Sequence, residues 1–333
     1  MGKQHTARAM HNLLTTTALA ALLTWPLAAG AKDARPKSAY DCADAAQLPA
    51  DAGETSRRLT CTIPDKYRRD VAMAELIGGA IRRHDLAAWL TTDELVKIDA
   101  MSNLPGEPSG WLTQERDDEI EVRYFSRVDG QPVAFAAATL RFDRTGVHDA
   151  KRLQPPQPAQ PREQRLMAAL KLARQQDQVY CSQRAPNTVA FEYEEDDQAQ
   201  ILVFVMTPWL DLANAPLGGN AMYRIDATGE RVIDRYEQTR SCLSARLDPK
   251  HPSEALVLSH LTSAAPTMFH VFMSLQYRRP VVVFTVQNDL LWKVEEGRIR
   301  LLQPDDRDYR KSRQWSDGIE REHEAAPTSS PIG

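Results

Sequence analysis

Ser259 and His270 are the residues of this 333-residue chain whose types and spacing come nearest to a catalytic pair. Around them the sequence reads ALVLSHL, TSAAPT and MFHVFMSL, two apolar runs flanking a polar stretch that contains Pro266. Read as a hairpin with Leu261 opposite Met268, the runs bring Ser259 to face His270 on one side of a sheet and put His260 on the other. A hydroxyl opposite an imidazole is the minimum for an activated nucleophile. A hydrolase also needs a group that orients the histidine and an oxyanion hole, and Ser259 is not on a G-x-S-x-G elbow. A cross-strand hydrogen bond inside a core sheet accounts for the same pair.

Metal chemistry would have to draw on His251, Glu254 and His260, with His270 on the opposite face in this register. Neither H-E-x-x-H nor a two-histidine-carboxylate spacing is present, so no metal and no other cofactor is expected. His84 falls on the apolar face of a helical pattern, where a packed core imidazole is the expected outcome. The run Glu192, Glu194, Glu195, Asp196 and Asp197 lacks the spaced oxygens and central glycine of a calcium loop and reads as a solvated tip between strands. Arg307, Arg310, Lys311 and Arg313 are interleaved with Asp305, Asp306 and Asp308, which cancels the field a nucleic acid would need.

The four cysteines are Cys42, Cys61, Cys181 and Cys242. With no Cys-x-x-Cys pair among them, two disulfides are expected rather than zinc. Three connectivities are open; Cys42–Cys61 with Cys181–Cys242 is favoured because each bridge then closes within one segment.

The elements that must position these residues divide into two halves. Met73, Ile77, Ile81, His84, Ala88, Leu95 and Ile98 recur at helical spacing, with Asp65 as the cap after Pro64 and an end near Asn103–Gly106. Ile120, Val122 and Tyr124 alternate with charged residues, Asp129–Gly130 is a turn, and Val133–Phe142 returns. Trp111 is expected under this sheet. Pro155, Pro156, Pro158 and Pro161 then make 153–162 an extended linker between an N-terminal domain (64–152) and a C-terminal one (163–303). The second half repeats the order with a helix over 163–178, followed by strands over 189–193, 201–206, 220–226, 231–237, 255–261, 268–276, 281–286, 290–294 and 298–302. Short connections predict antiparallel pairing throughout. The fold class is therefore α+β, with a helix and an antiparallel sheet in each half and the larger, meander-like sheet in the second. Gly218–Gly219 predicts a bulge or close approach, Thr228–Gly229 a hairpin turn, and 304–333 a disordered polar tail.

Lys3 and Arg8 precede an apolar stretch from Leu13 to Leu27, which ends in Ala28, Ala29, Gly30 and Ala31. This is the plan of a secretory signal cleaved after Ala31, with 32–63 as an irregular arm pinned by Cys42 and Cys61. Cleavage removes Lys3 and Arg8 and no acid, so Lys+Arg falls from 41 to 39 against 45 Asp+Glu and the mature net charge is −6. That balance argues against nucleic acid as a partner, and no later run is apolar for long enough to span a bilayer.

The phrases HDLAAWLTTDEL (84–95), GWLTQ (110–114), GGNAMYRI (218–225), SCL (241–243), SHLTSAAPTMFHVFMSL (259–275) and LWKVEEGRI (291–299) together resemble a group of exported proteobacterial proteins with no assigned activity. The resemblance implies a periplasmic address and transfers no functional residue. The expected function is a soluble, non-catalytic periplasmic protein that binds an envelope component or a protein partner. A Ser259/His270 hydrolase and a metal-binding protein are the alternatives.

Overall fold

The computed structural model describes residues 63–312, apart from 143–145, 196–197, 249, 252–254 and 305. The signal segment, the arm with Cys42 and Cys61, Asp196 and Asp197, Glu254, and residues 313–333 with Arg313 lie outside the described residues. The fold is α+β, built on a long helix α1 (Asp65–Lys97) and two shorter ones, α2 (Pro161–Arg174) and α3 (Met268–Tyr277). Among the described residues no helix is long and apolar enough to cross a membrane.

Helix α1 serves two cores. Its first half buries Tyr67, Val71, Ile77 and Ile81 against α3, while further along Ala87, Ala88 and Leu95 pack on the first sheet with Ile120, Val122 and Phe135. Asp65 is the first helical residue; Pro64 takes the cap position, and no side chain caps that end. The helix stops at Lys97, earlier than its apolar spacing predicts, because Asp99 turns left-handed (φ 59°), and Ile98 is left exposed.

The first sheet is an antiparallel meander of β1 (Glu107–Arg116), β2 (Glu119–Val128), β3 (Gln131–Arg141) and β4 (Gly146–Pro158). Trp111 belongs to β1 itself, and its side chain packs against the core beneath this sheet, as expected. The segment 153–162 is no linker: it completes β4, which pairs Gln157 with Ala134 and Pro158 with Val133, and then starts α2 at Pro161. Its prolines fit because β4 is an edge strand, where missing N–H groups break no ladder on the outer side. At the start of α2, Gln160 and Glu163 form a capping box, and Arg123 of β2 pairs with Glu163 at 2.5 Å. Leu166, Ala169, Leu170 and Ala173 of α2 fill one core shared by the first and second sheets. The two halves are joined by packing on both sides of the proline segment.

The strands of the second half split between sheets instead of forming one. The second sheet runs β5 (Asn187–Glu195), β6 (Gln198–Met206), β8 (Ala221–Asp226) and β9 (Val232–Glu237), all antiparallel. In β6, Ile201, Val203 and Val205 face the α2 core, whereas Leu202, Phe204 and Met206 face the α3 core, which is why its run is apolar at every position. The third sheet contains β11 (Leu256–His260), β12 (Val281–Thr285), β13 (Leu290–Glu295) and β14 (Arg298–Leu301). Here β11 and β12 are parallel, with α3 as the crossover between them. A short ribbon pairs β7 (Asn214–Pro216) with β10 (Ser244–Arg246), and beside it Cys181 and Cys242 form a disulfide. The first part of the expected tail is ordered on the third sheet: Asp306 pairs with Arg300 at 3.1 Å and Asp308 with Lys293 at 3.0 Å.

The crossing of α1 over α3 depends on Gly78. A β-carbon there would stand 2.5 Å from Val271 Cβ and 2.6 Å from the Met268 carbonyl oxygen, while one on Gly79 would meet nothing within 4 Å. Overpacking of this kind costs about 1–3 kcal/mol, whereas alanine gains about 1 kcal/mol over glycine in a helix. Gly78→Ala is therefore expected to destabilise the fold and Gly79→Ala to stabilise it by up to about 1 kcal/mol. Urea unfolding of the two variants checks the opposite signs.

Candidate functional site

The predicted hairpin does not form. Residues 268–277 are helical, because Thr267 and His270 close a capping box and the apolar run is covered on all sides, as a fully buried helix requires. Ser259 lies on edge strand β11 with its side chain exposed, whereas His270 is completely buried in the first turn of α3. The pair that motivated a hydrolase is not brought together.

The histidines assigned to opposite faces do meet. His260 and His270 pack edge to face with ring centroids 4.6 Å apart. His260 Nε2 is 2.8 Å from Ser263 Oγ and 3.4 Å from the Tyr236 hydroxyl. The Ser263 hydroxyl donates to the Ala265 carbonyl at 2.6 Å, so the imidazole is the donor toward Ser263 and does not draw its proton. Burial pushes His260 down to about 4, too weak a base for neutral pH. His270 Nδ1 accepts the Thr267 N–H at 2.9 Å, which leaves the proton on Nε2, a buried atom without a hydrogen-bond partner. This cluster holds the 261–267 loop to β9; it has no activated nucleophile.

His251 is exposed on a loop, 3.0 Å from Asp248, and Glu254 lies outside the described residues. No three of the described His, Cys, Asp and Glu side chains are grouped to hold a metal. His84 is buried as expected, bonded to Thr113 Oγ1 at 2.8 Å and to Glu115 at 3.2 Å. Glu192 of the acidic run is bound by Arg162 and Arg165 of α2, so the base of that tip is paired.

The site that sequence reasoning missed is a cleft of about 610 Å³ between α1, the loop after β6 and the end of α3. Its rim exposes Trp89 (57%), Leu210 (65%) and Leu212 (74%), and Trp111, Trp209 and Tyr277 contribute to its walls. The loop is held in shape. The Asp211 carboxylate accepts from the Ala213 N–H and the Asn214 amide, and Trp209 Nε1 donates to the Asp211 carbonyl at 2.8 Å. Trp209 then stacks edge-on to Tyr277 at 5.0 Å, and the Tyr277 hydroxyl donates to the Pro216 carbonyl at 2.6 Å.

On the floor lie Arg82 and Asp85 of α1, with side chains only 11% and 7% exposed. Their closest approach, Nη1 to Oδ2, is 3.6 Å, an ion pair but too long for a hydrogen bond. Asn187 Nδ2 donates to Asp85 at 3.2 Å. Burial pushes the Asp85 carboxyl up to about 6, against the pull of Arg82 and Asn187. Burial also lowers Arg82, and Arg278 at the end of α3 adds like-charge repulsion. Two buried polar atoms here lack a hydrogen bond: Arg82 Nη1 and Gln276 Oε1. The cleft thus holds an unsatisfied donor and an unsatisfied acceptor inside an apolar frame, the usual composition of a binding pocket. Its described lining has one carboxylate, Asp85, set beside Arg82 and Asn187, and no histidine, serine or cysteine.

The chain matches no known family, no curated protein and no solved structure.

Proposed function

We propose that the protein is an exported, periplasmic binding protein that captures a short apolar segment of a partner chain in the cleft between α1 and α3. The observation that carries this reading is the exposure of Trp89, Leu210 and Leu212 around a floor that holds unsatisfied polar atoms. Large apolar side chains gathered at a cleft mouth are characteristic of interaction sites, and tryptophan is prominent among residues that dominate binding energy. Burying each of the three is worth about 1.5–3 kcal/mol before association costs. Aliphatic leucines on the rim and a paired need for donor and acceptor suit a peptide better than a glycan of the envelope. The basic, apolar and small-residue order of the N-terminus and the Cys181–Cys242 bridge support an address outside the cytoplasm.

N-phenyl-1-naphthylamine, a neutral apolar dye, tests the cleft directly. Its emission should rise on binding the full chain, and Trp89→Ala or Leu212→Ser should each weaken binding about tenfold with the thermal midpoint unchanged. Variants that bind the dye as tightly as the parent chain would refute the cleft as the site.

A further inference from the structure

We infer that the segment enters this cleft by its free C-terminus, with the α-carboxylate on Arg82 and the last peptide N–H on Gln276. The inference rests on the segment-binding reading and adds which end of the partner is recognised.

Three observations carry it. First, Arg82 Nη1 is a buried guanidinium donor with no hydrogen bond, and the nearest carboxylate sits 3.6 Å away. A charged donor in that condition asks for an anionic acceptor, and a charge-assisted N–H bond to a carboxylate oxygen supplies one. Second, Gln276 Oε1 is a buried acceptor without a donor on the same lining. The final residue of a peptide carries a carboxylate and an N–H on the same Cα, so one residue supplies both missing partners. An aspartate or glutamate side chain puts its carboxylate at the end of a stem and requires the chain to continue past the site. Arg82 is on the floor, nearly closed to solvent, where a chain can end but has little room to pass. Third, the charges leave room for one anion. Arg82 and Arg278 face a single carboxylate, Asp85, so the lining is one positive charge in excess when Asp85 is ionised. The apolar side chains at the end of the segment then fall among Trp89, Trp111 and Trp209.

Asp85 is the group that makes the site selective. Held beside Arg82 and by Asn187, it offsets part of the guanidinium charge and presents a like charge to any anion that arrives without a partner for Gln276. A bare inorganic anion gains little here. A terminal residue gains the second hydrogen bond.

The test uses two fluorescently labelled tetrapeptides, Ala-Ala-Leu-Leu with a free C-terminus and the same sequence as its C-terminal amide, titrated into the full chain by fluorescence anisotropy. The free acid is expected to bind at least tenfold more tightly than the amide. The double variant Arg82→Met with Asp85→Asn removes the charge pair together, so no lone buried charge remains, and should bring acid and amide to equal affinity. Gln276→Leu should weaken both peptides several-fold, since both carry the N–H. Equal binding of acid and amide by the parent chain overturns the C-terminal inference and leaves segment binding in place. Failure of both peptides to bind a chain that binds N-phenyl-1-naphthylamine overturns segment binding itself.

Discussion

Replacing Cys181 and Cys242 by serine is expected to lower the unfolding free energy by about 4 kcal/mol, the loop-closure value for a 61-residue separation. Such a loss is a large share of the stability of an ordinary domain. The bridge ties the segment after α2 to the loop after β9, and the chain between them packs tightly against it. Gly219 has φ 76°, and a β-carbon there would lie 2.6 Å from Cys181 Sγ and 2.6 Å from Thr207 Oγ1. Thr207 in turn donates to the Gly218 and Gly219 carbonyls, and its own N–H donates to Asn220, which reaches Gln238 at 2.7 Å. Thr207 immediately precedes the loop that presents Trp209, Leu210 and Leu212. Reduction should therefore loosen the cleft as well as the fold. Urea unfolding with and without reductant measures the first effect, and dye affinity at a urea concentration where both forms are folded measures the second. A loss below about 1 kcal/mol would mean that packing around Gly219 constrains this region without the covalent link.

Periodicity was readable wherever one face of an element was buried. Met73, Ile77, Ile81, His84, Ala88 and Leu95 lie on the buried side of α1, as their spacing demands. What the spacing does not contain is a destination: the same stripe meets α3 at one end and the first sheet at the other. Where an element is covered on every side, the pattern loses its period. MFHVFMSL suits a strand and a buried helix equally, and the choice lay in the short-range bond between Thr267 and His270. The proline segment misled for a related reason, since prolines exclude a central strand but are tolerated on an edge such as β4. The cleft was the hardest feature to read. Its lining comes from residues 82–92, Trp111, Asn187, 208–212 and 276–278, so no spacing within one segment encodes it. The local trace was Pro-Trp-Leu-Asp-Leu at 208–212, two leucines and a tryptophan in a stretch with neither period, which is where exposed apolar residues serve a surface rather than a core. The Cys181–Cys242 disulfide, by contrast, was one of three connectivities open to an even cysteine count, favoured because each bridge then closes within one segment.

Acidification should destabilise the protein by about 3 kcal/mol between pH 7 and pH 5, and the buried histidine pair is the reason. His260 and His270 are almost fully enclosed, and burial depresses both, His260 to about 4 and His270 well below its ordinary value, where repulsion from the His260 ring adds to the effect. The side chains bonded to them are Tyr236, Thr262, Ser263 and Thr267, none of which is charged near neutrality; Tyr236 is itself pushed up to about 12 by burial. In the unfolded chain both imidazoles regain a pKa near 6.5. A group with a depressed folded pKa that binds protons more readily when unfolded takes stability away as pH falls below that unfolded value, at up to about 1.4 kcal/mol per pH unit per site. Between pH 7 and pH 5 each histidine removes about 2 kcal/mol. Asp85 acts in the opposite direction: raised to about 6 in the fold, it takes up a proton there before it does in the unfolded chain and returns about 1 kcal/mol over the same interval. These groups leave a net loss of about 3 kcal/mol. His270→Gln keeps an N3 side chain that can accept the Thr267 N–H and removes one titrating ring, so it should cut the histidine contribution to the slope by about half. Unfolding free energies at pH 7, 6 and 5 for the parent chain and this variant decide the matter. Parallel pH profiles for the two proteins would show that the pair opens to solvent in the native state and that its burial does not govern acid stability.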